Sequence, residues 1–397
     1  MSSLPEIFSP DGPLAKAIGG YRVRQQQVDM AERIAAAINS QSVFIAEAGT
    51  GTGKTFAYLV PALKSGGKVI VSTGTKTLQD QLFNKDLPMV RDALKAPVKI
   101  ALLKGRANYV CPYHLQNALA DGRFLTREDA ADARRISNFA KVTQSGDKAE
   151  CIEVSETSPV WNHATSTREN CLGQECPNYK ECFVMLARRE AMAADLVVVN
   201  HHLFFADVML RDEGMAELLP ACNTVIFDEA HQLPEVATLF FGDSTSTAQV
   251  LDLARDARTE GLTNARDCLD LQTASKQLEK VAKDTRLAVG IDAGRFSYGQ
   301  LTEKPEFLPA VKLLQDEIAS FAAILETQAE RAEGLEKCWQ RALELVERLA
   351  QWQKTGVNGY VRWAEAFTHS LQLNSTPLDV AEIFKKQMGG HPRAWIF

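Results

Sequence analysis

Residues 42–60 read SVFIAEAGTGTGKTFAYLV, and no other stretch restricts the fold as tightly. Ser42–Ala46 is a short apolar, strand-like run. Ala48, Gly49, Thr50, Gly51, Thr52, Gly53, Lys54 and Thr55 follow, and then a helix-like segment. Glycines in such a loop let backbone N–H groups approach phosphate oxygens at a helix N-terminus. Lys54 supplies a point charge for β- and γ-phosphates, and the Thr55 hydroxyl a ligand for Mg²⁺. The order strand, glycine-rich loop, helix is that of a P-loop with Ala48 at its first position. It predicts an α/β fold that takes ATP and Mg²⁺.

A P-loop needs an acidic partner for the metal and for water. Residues 224–231, TVIFDEAH, supply one: an apolar strand ends in two adjacent acids. Asp228 is suited to hold Mg²⁺ through water, and Glu229 to orient and deprotonate the attacking water. Upstream, Arg24 and Gln27 precede a helix over Val28–Ile38. Gln has the donor and acceptor pair that adenine requires, so this element reads either as an adenine contact or as a polar turn.

Further strands are expected at Lys68–Thr73, followed by GTKTLQDQL, and at Val98–Leu103, followed by Lys104-Gly105-Arg106. Hydroxyl- and glycine-rich turns at a strand end suit the phosphates of a nucleic-acid backbone. Lys76, Lys104 and Arg106 are therefore candidate DNA contacts, with ordinary surface loops as the other reading. From Pro61 to Arg106 there are nine Lys/Arg against three Asp/Glu, a local +6 on a chain whose net charge is −6. An acidic body can carry such a groove.

The 397 residues allow two or three domains. Hydrophobic residues are 45% and charged residues 24%, the proportions of a globular protein. No apolar run approaches a membrane span and no secretory leader is visible, so a cytoplasmic location is expected. Cysteines in a reducing compartment read first as metal ligands. Cys171, Cys176 and Cys182 form a C-x4-C-x5-C set, with Cys111 upstream. By spacing they suit a [4Fe–4S] cluster, or zinc, or neither. Cys151 is a competitor for the fourth place; Cys222, Cys268 and Cys338 read as isolated buried residues.

The P-loop and the DEAH tetrad together resemble the DEAH-type helicases of superfamily two. A P-loop, a four-cysteine insert and then DEAH look like the XPD-type iron–sulfur helicases. The phrases ALLKGRANYVC, NCLGQECPNYKECF, DLVVVNHHLFFAD and VIFDEAHQLPE most resemble the bacterial DinG/YoaA branch. The resemblance implies a RecA-like P-loop NTPase core with an inserted iron–sulfur domain and an inserted helical Arch domain. It implies a structural [4Fe–4S] cluster on Cys111, Cys171, Cys176 and Cys182, and 5′→3′ movement on single-stranded or forked DNA in replication or repair. A clamp-loader subunit of the replicative polymerase is the protein partner it implies.

The expected boundaries are 1–108, 191–235 and 371–397 for the core, 109–190 for the iron–sulfur domain and 236–370 for the Arch. In that last segment Leu314, Ile318, Phe321 and Leu325 step by four, three and four, and Leu335, Cys338, Ala342, Leu345, Leu349 and Trp352 further on continue such a stripe in alternating steps of three and four. These are packed helical faces or, on the minority reading, a partner-binding helix. Leu371, Leu373 and Ala394–Phe397 read as strands returning to the core. Asn200-His201-His202 after the strand Leu196–Val199 invites a metal reading, but no further ligand lies at zinc spacing, and a structural turn is expected.

In the family the last strand runs into a Ser-Ala-Thr motif and a second RecA-like domain that carries arginine fingers. Neither is found in these 397 residues, so the sequence reads as the N-terminal half of a helicase motor. The alternative is a module that binds ATP and nucleic acid without translocating.

Overall fold

A computed structural model of the chain describes residues 3–49, 51–122, 124, 126–212, 218–354, 359–389 and 393–397. It divides into two compact units. The first comprises Met1–Gly105, Val184–Phe240 and Val380–Phe397; the second comprises Arg106–Phe183 and Phe241–Asp379.

Among the described residues ten strands make two sheets. In the first unit, β1 (Val43–Phe44), β2 (Val69–Thr73), β3 (Ile100–Leu102), β4 (Leu196–Asn200), β5 (Thr224–Phe227) and β10 (Ala394–Ile396) form a parallel sheet of order β1-β10-β5-β2-β4-β3. β2 and β5 are buried at every position, and β4 at all but its last. This explains their unbroken Val/Ile/Leu runs, since a parallel sheet covered on both faces has no polar side. The helix Gln25–Ser40 lays Val28, Ala31, Ile34 and Ala37 into this core. Lys54–Lys64 adds Ala57, Tyr58, Leu59 and Val60. In a doubly wound sheet, ligands bind beyond the carboxyl ends of the strands. The P-loop, the turn before Lys76, Lys104, His201 and the Asp228-Glu229 pair all leave the sheet at that end.

The second unit holds the antiparallel sheet β6-β9-β8-β7, built from β6 (Asp243–Ser246), β7 (Gly294–Ser297), β8 (Tyr360–Ala366) and β9 (Leu371–Pro377). This corrects two expectations. Residues 236–370 are not purely helical, and Leu371 and Leu373 do not return to the parallel sheet. Their period-two alternation does signal a strand. It fits the antiparallel sheet because Leu371 and Leu373 join the helical core on one face while Gln372 pairs opposite Ser246 and Glu365 on the other. The chain returns to the first unit at Val380, and of the expected returning strands Ala394–Ile396 joins its sheet. The cysteine-bearing segment and the helices share one compact unit, which begins at Arg106 and reaches Asp379.

Helices Thr247–Asn264, Leu269–Leu287, Phe307–Glu326 and Glu333–Gln353 form that core. Every residue of the two stripes marked in the sequence is buried in it. A polar seam joins the helices to the cysteine-bearing segment. Arg341 donates to Asp256 at 2.7 Å, and Asn170, next to Cys171, donates to the same carboxylate at 3.3 Å. Tyr113 donates to Glu260 at 2.5 Å. Burial pulls the Asp256 carboxyl up, but Arg341 and Arg255 outweigh it and hold it below the usual range. Removing Arg341 leaves the buried Asp256 with only the more distant Arg255, at 3.7 Å, as counter-charge. Arg341→Met is therefore expected to destabilise the second unit by about 3–5 kcal/mol, whereas Arg341→Met with Asp256→Leu loses far less. Urea unfolding of both variants measures this, and equal losses would show that the seam carries no ion-pair energy.

Candidate functional site

The P-loop runs from β1 to the helix Lys54–Lys64. Gly51 and Gly53 lie in the left-handed region, with φ of 79° and 82°. Gly53 is the N-cap and makes no side-chain cap, so the first N–H groups of the helix point into the loop. A Cβ on Gly53 would collide with the Gln27 amide nitrogen, so glycine is required there by backbone angle and by space. Thr52 closes the loop by donating to the Gly49 carbonyl at 2.8 Å. Ala48 and Gly49 lead into this turn, while Thr50 lies outside the described residues.

Gln27 is buried, and its amide is engaged. Nε2 donates to the Gly53 carbonyl at 2.9 Å, and Oε1 lies 3.5 Å from the Tyr21 hydroxyl. Gln27 thus braces the phosphate loop from the side where adenine was expected. Arg24 approaches the same glycine.

Across the sheet, Lys54 Nζ stands 3.2 Å from Glu229 Oε1. Tyr58, one turn after Thr55 on the same helix face, donates to Asp228 Oδ2 at 3.2 Å. The helix that carries Thr55 thus also holds Asp228, the other expected Mg²⁺ ligand. Burial raises the Asp228 carboxyl, and the neighbouring Glu229 adds to the rise; Tyr58 and Lys54 act against both. A bound Mg²⁺ would favour the charged form again. Tyr58 was not read from the sequence, although a hydroxyl three residues after Thr55 was visible.

The DNA candidates divide. Lys76 is exposed at the start of the helix Lys76–Gln81, which Thr75 caps by accepting from the Leu78 N–H at 3.2 Å. Lys104 is corrected: it is 4% exposed, and its ammonium pairs with Asp80 at 2.6 Å. A count of charges cannot see that the chain folds this lysine inward. Arg106 is half-buried in a short turn that opens the second unit.

In the second unit, Cys111 caps the helix Pro112–Asp121, and Cys176 and Cys182 each close a 3₁₀ turn. All four cysteines of the set are half-buried and free. The Cys111 thiol is pushed up to about 12 by burial, and Cys171, Cys176 and Cys182 each add to the rise. The four sulfurs therefore feel one another. Cys151 is buried beside Glu153 and Asp132 instead. Among the described residues no three His, Cys, Asp or Glu side chains converge on a single ion. Four neighbouring thiols are a soft donor set, the kind that suits zinc or an iron–sulfur cluster.

The DEAD/DEAH box helicase family matches residues 28–110. The chain is 42% identical over its whole length to the ATP-dependent DNA helicase YoaA of Haemophilus influenzae, and 42% identical over 99% of its length to that of Escherichia coli. It is 33% identical, over 72% of its length, to the ATP-dependent helicase DinG of Mycobacterium tuberculosis, covering 44% of that protein. The chain belongs to the DinG/YoaA branch of the DEAD/DEAH-box helicases. It spans 62% of the length of each of the two YoaA relatives. A fainter likeness is to a solved structure of truncated XPD, with a TM-score of 0.41 and 13% identity, covering 92% of this chain and 91% of that one. Within the DinG/YoaA branch, the parallel sheet with its P-loop and DEAH end is the RecA-like core. No helix among the described residues is long and apolar enough to cross a membrane.

Proposed function

We propose that this chain is the nucleotide-binding part of an ATP-dependent 5′→3′ DNA helicase, with a [4Fe–4S] cluster on Cys111, Cys171, Cys176 and Cys182. The observation that carries the reading is the 3.2 Å approach of Lys54 to Glu229 at the mouth of the P-loop. The contact brings a phosphate-binding charge and a water-activating carboxylate together at the mouth of the loop, the two groups that phosphoryl transfer to water needs there. Lys54 and the N–H groups after Gly53 hold the phosphates. Thr55 and Asp228 hold Mg²⁺, which spreads the charge that develops on the phosphoryl oxygens. Glu229 takes the proton of the attacking water. Lys76 and Arg106 grip the DNA backbone. The four cysteines lie at the start of the helix Pro112–Asp121 and around the two short 3₁₀ turns Gly173–Glu175 and Tyr179–Glu181, so a cluster there would staple the turns to the helix and its role is structural. The family's replication or repair context suits a clamp-loader subunit as partner.

Two measurements test the reading. The purified chain should bind a fluorescent ATP analogue only with Mg²⁺, and single-stranded DNA with an affinity that falls steeply as salt rises. Polarity is read in an Escherichia coli YoaA whose matching segment is replaced by residues 1–397 of this chain, which should open a 5′-tailed duplex. No nucleotide binding, or opening of a 3′-tailed duplex alone, would sink the proposal.

A further inference from the structure

Gln249, Asp256 and Glu260 belong to the helix Thr247–Asn264 and follow one another at steps of seven and four, so they share one face of it. Each of these three side chains bonds to a residue close to a cysteine of the set. Gln249 Nε2 donates to Glu169 Oε1 at 2.5 Å, and Asp256 accepts from Asn170 Nδ2 at 3.3 Å. Glu169 and Asn170 stand immediately before Cys171. Glu260 accepts at 2.5 Å from Tyr113, which lies two residues after Cys111. Asn170 and Glu260 are both buried, so water is largely kept from the two inner bonds.

The two cysteine-bearing limbs also meet each other. His114 Nε2 lies 3.3 Å from the Asn170 carbonyl, and the Cys111 N–H donates to the Ala164 carbonyl at 2.7 Å. A small turn closes on Asn170. Its Oδ1 accepts the Thr167 N–H at 2.7 Å, and its own N–H reaches Thr167 Oγ1 at 3.3 Å. Asn170 thus has its backbone in the Cys171 limb and its side-chain amide on the helix. Beyond Cys171 the limb runs through two short 3₁₀ turns, and a single turn does not hold a position by itself.

We infer that the Gln249-Asp256-Glu260 face is a template: its three positioning residues set the Cys111 and Cys171 limbs against each other before the thiols take their metal. Such preorganisation speeds capture, because hydrogen bonds and not the metal offset the entropy of ordering the limbs. The metal-capture part of this inference rests on the cluster reading of the cysteines; the placing of the limbs does not.

The test uses the 397-residue chain, purified without air, and a swap of donor and acceptor. Gln249 also caps its own helix, its Oε1 accepting the Ser246 N–H at 2.8 Å. Gln249→Glu keeps an acceptor for that cap but sets two carboxylates face to face. Adding Glu169→Gln restores the bond in the opposite direction. In metal-free protein, amide exchange over 167–176 should quicken about tenfold in Gln249→Glu, the effect of one lost charge-assisted hydrogen bond, and return to within about threefold of wild type in the swap. Exchange over 250–264 should stay unchanged. Uptake of ferrous iron and sulfide, followed by visible absorption, should slow and recover in the same order. Tyr113→Phe keeps the ring and should quicken exchange over 111–121 and slow uptake; it decides the point if the carboxylate pair prevents folding. A contact that only stabilised the fold would lower Tm and quicken exchange throughout the second unit, and that pattern overturns the inference. So do a swap that restores neither readout and uptake that is unchanged while the limbs loosen. Wild-type chain that takes up no iron would count against the cluster reading alone, because exchange of the limbs in metal-free protein still decides the template.

Discussion

Glu229→Gln is expected to leave nucleotide binding intact and to slow hydrolysis by about 10²–10⁴-fold, the contribution of a positioned general base. The amide keeps the shape and the left-handed turn of Glu229 but cannot take a proton from water. Lys54→Ala should fail earlier in the cycle. It removes a charge-assisted hydrogen bond to phosphate worth about 1.5–3 kcal/mol, so affinity for the ATP analogue should fall about 10–100-fold. Titration with the analogue and single-turnover hydrolysis separate the two effects. Normal hydrolysis by Glu229→Gln would remove that residue from the chemistry, and unchanged affinity in Lys54→Ala would remove the lysine from the phosphate site.

Loss of one thiol should be all or none. Purified without air, the chain is expected to be brown, with iron and sulfide in equal amounts. Cys176→Ser should bleach it and loosen the segment between Arg106 and Phe183, because the 3₁₀ turns that end at Cys176 and Cys182 have few bonds of their own. Cys151→Ser should keep its colour, since that thiol is buried against Glu153 and Asp132 and away from the set. Iron and sulfide assays with visible spectra decide the point. Colourless wild-type protein with one equivalent of zinc would sink the cluster.

The P-loop, the acidic pair and the cysteine set were legible because their chemistry demands particular residue types at short spacing. Gly53 shows why: its backbone angle and the close approach of Gln27 leave no other residue. The buried helical stripes were legible through their period. What stayed hidden depends on register between distant segments. Ser72 meets the His201 ring at 2.7 Å and the Asp228 N–H at 2.8 Å only because β2 lies between β4 and β5, and nothing near any of the three announces it. Lys104 was misread for a related reason. Its charge is plain in the sequence, whereas the Asp80 that draws it inward lies 24 residues away, on another element. Leu371 and Leu373 announce a strand but not its sheet, since alternation tells which face is buried and not which core buries it.

The strand order also sets a timetable. β1, which launches the P-loop, has one neighbour in the sheet, and that neighbour is β10. About 350 residues separate the two, so at ~5–20 residues per second the ribosome needs roughly 20–70 s to deliver the partner. For that interval the phosphate loop has no strand to anchor it, and the flank of β5 that β10 will cover is an open apolar edge. The second unit has by then been made in full and can already have packed. The strand that launches the phosphate loop thus gains its partner late, from three residues, Ala394–Ile396, that lie outside the loop.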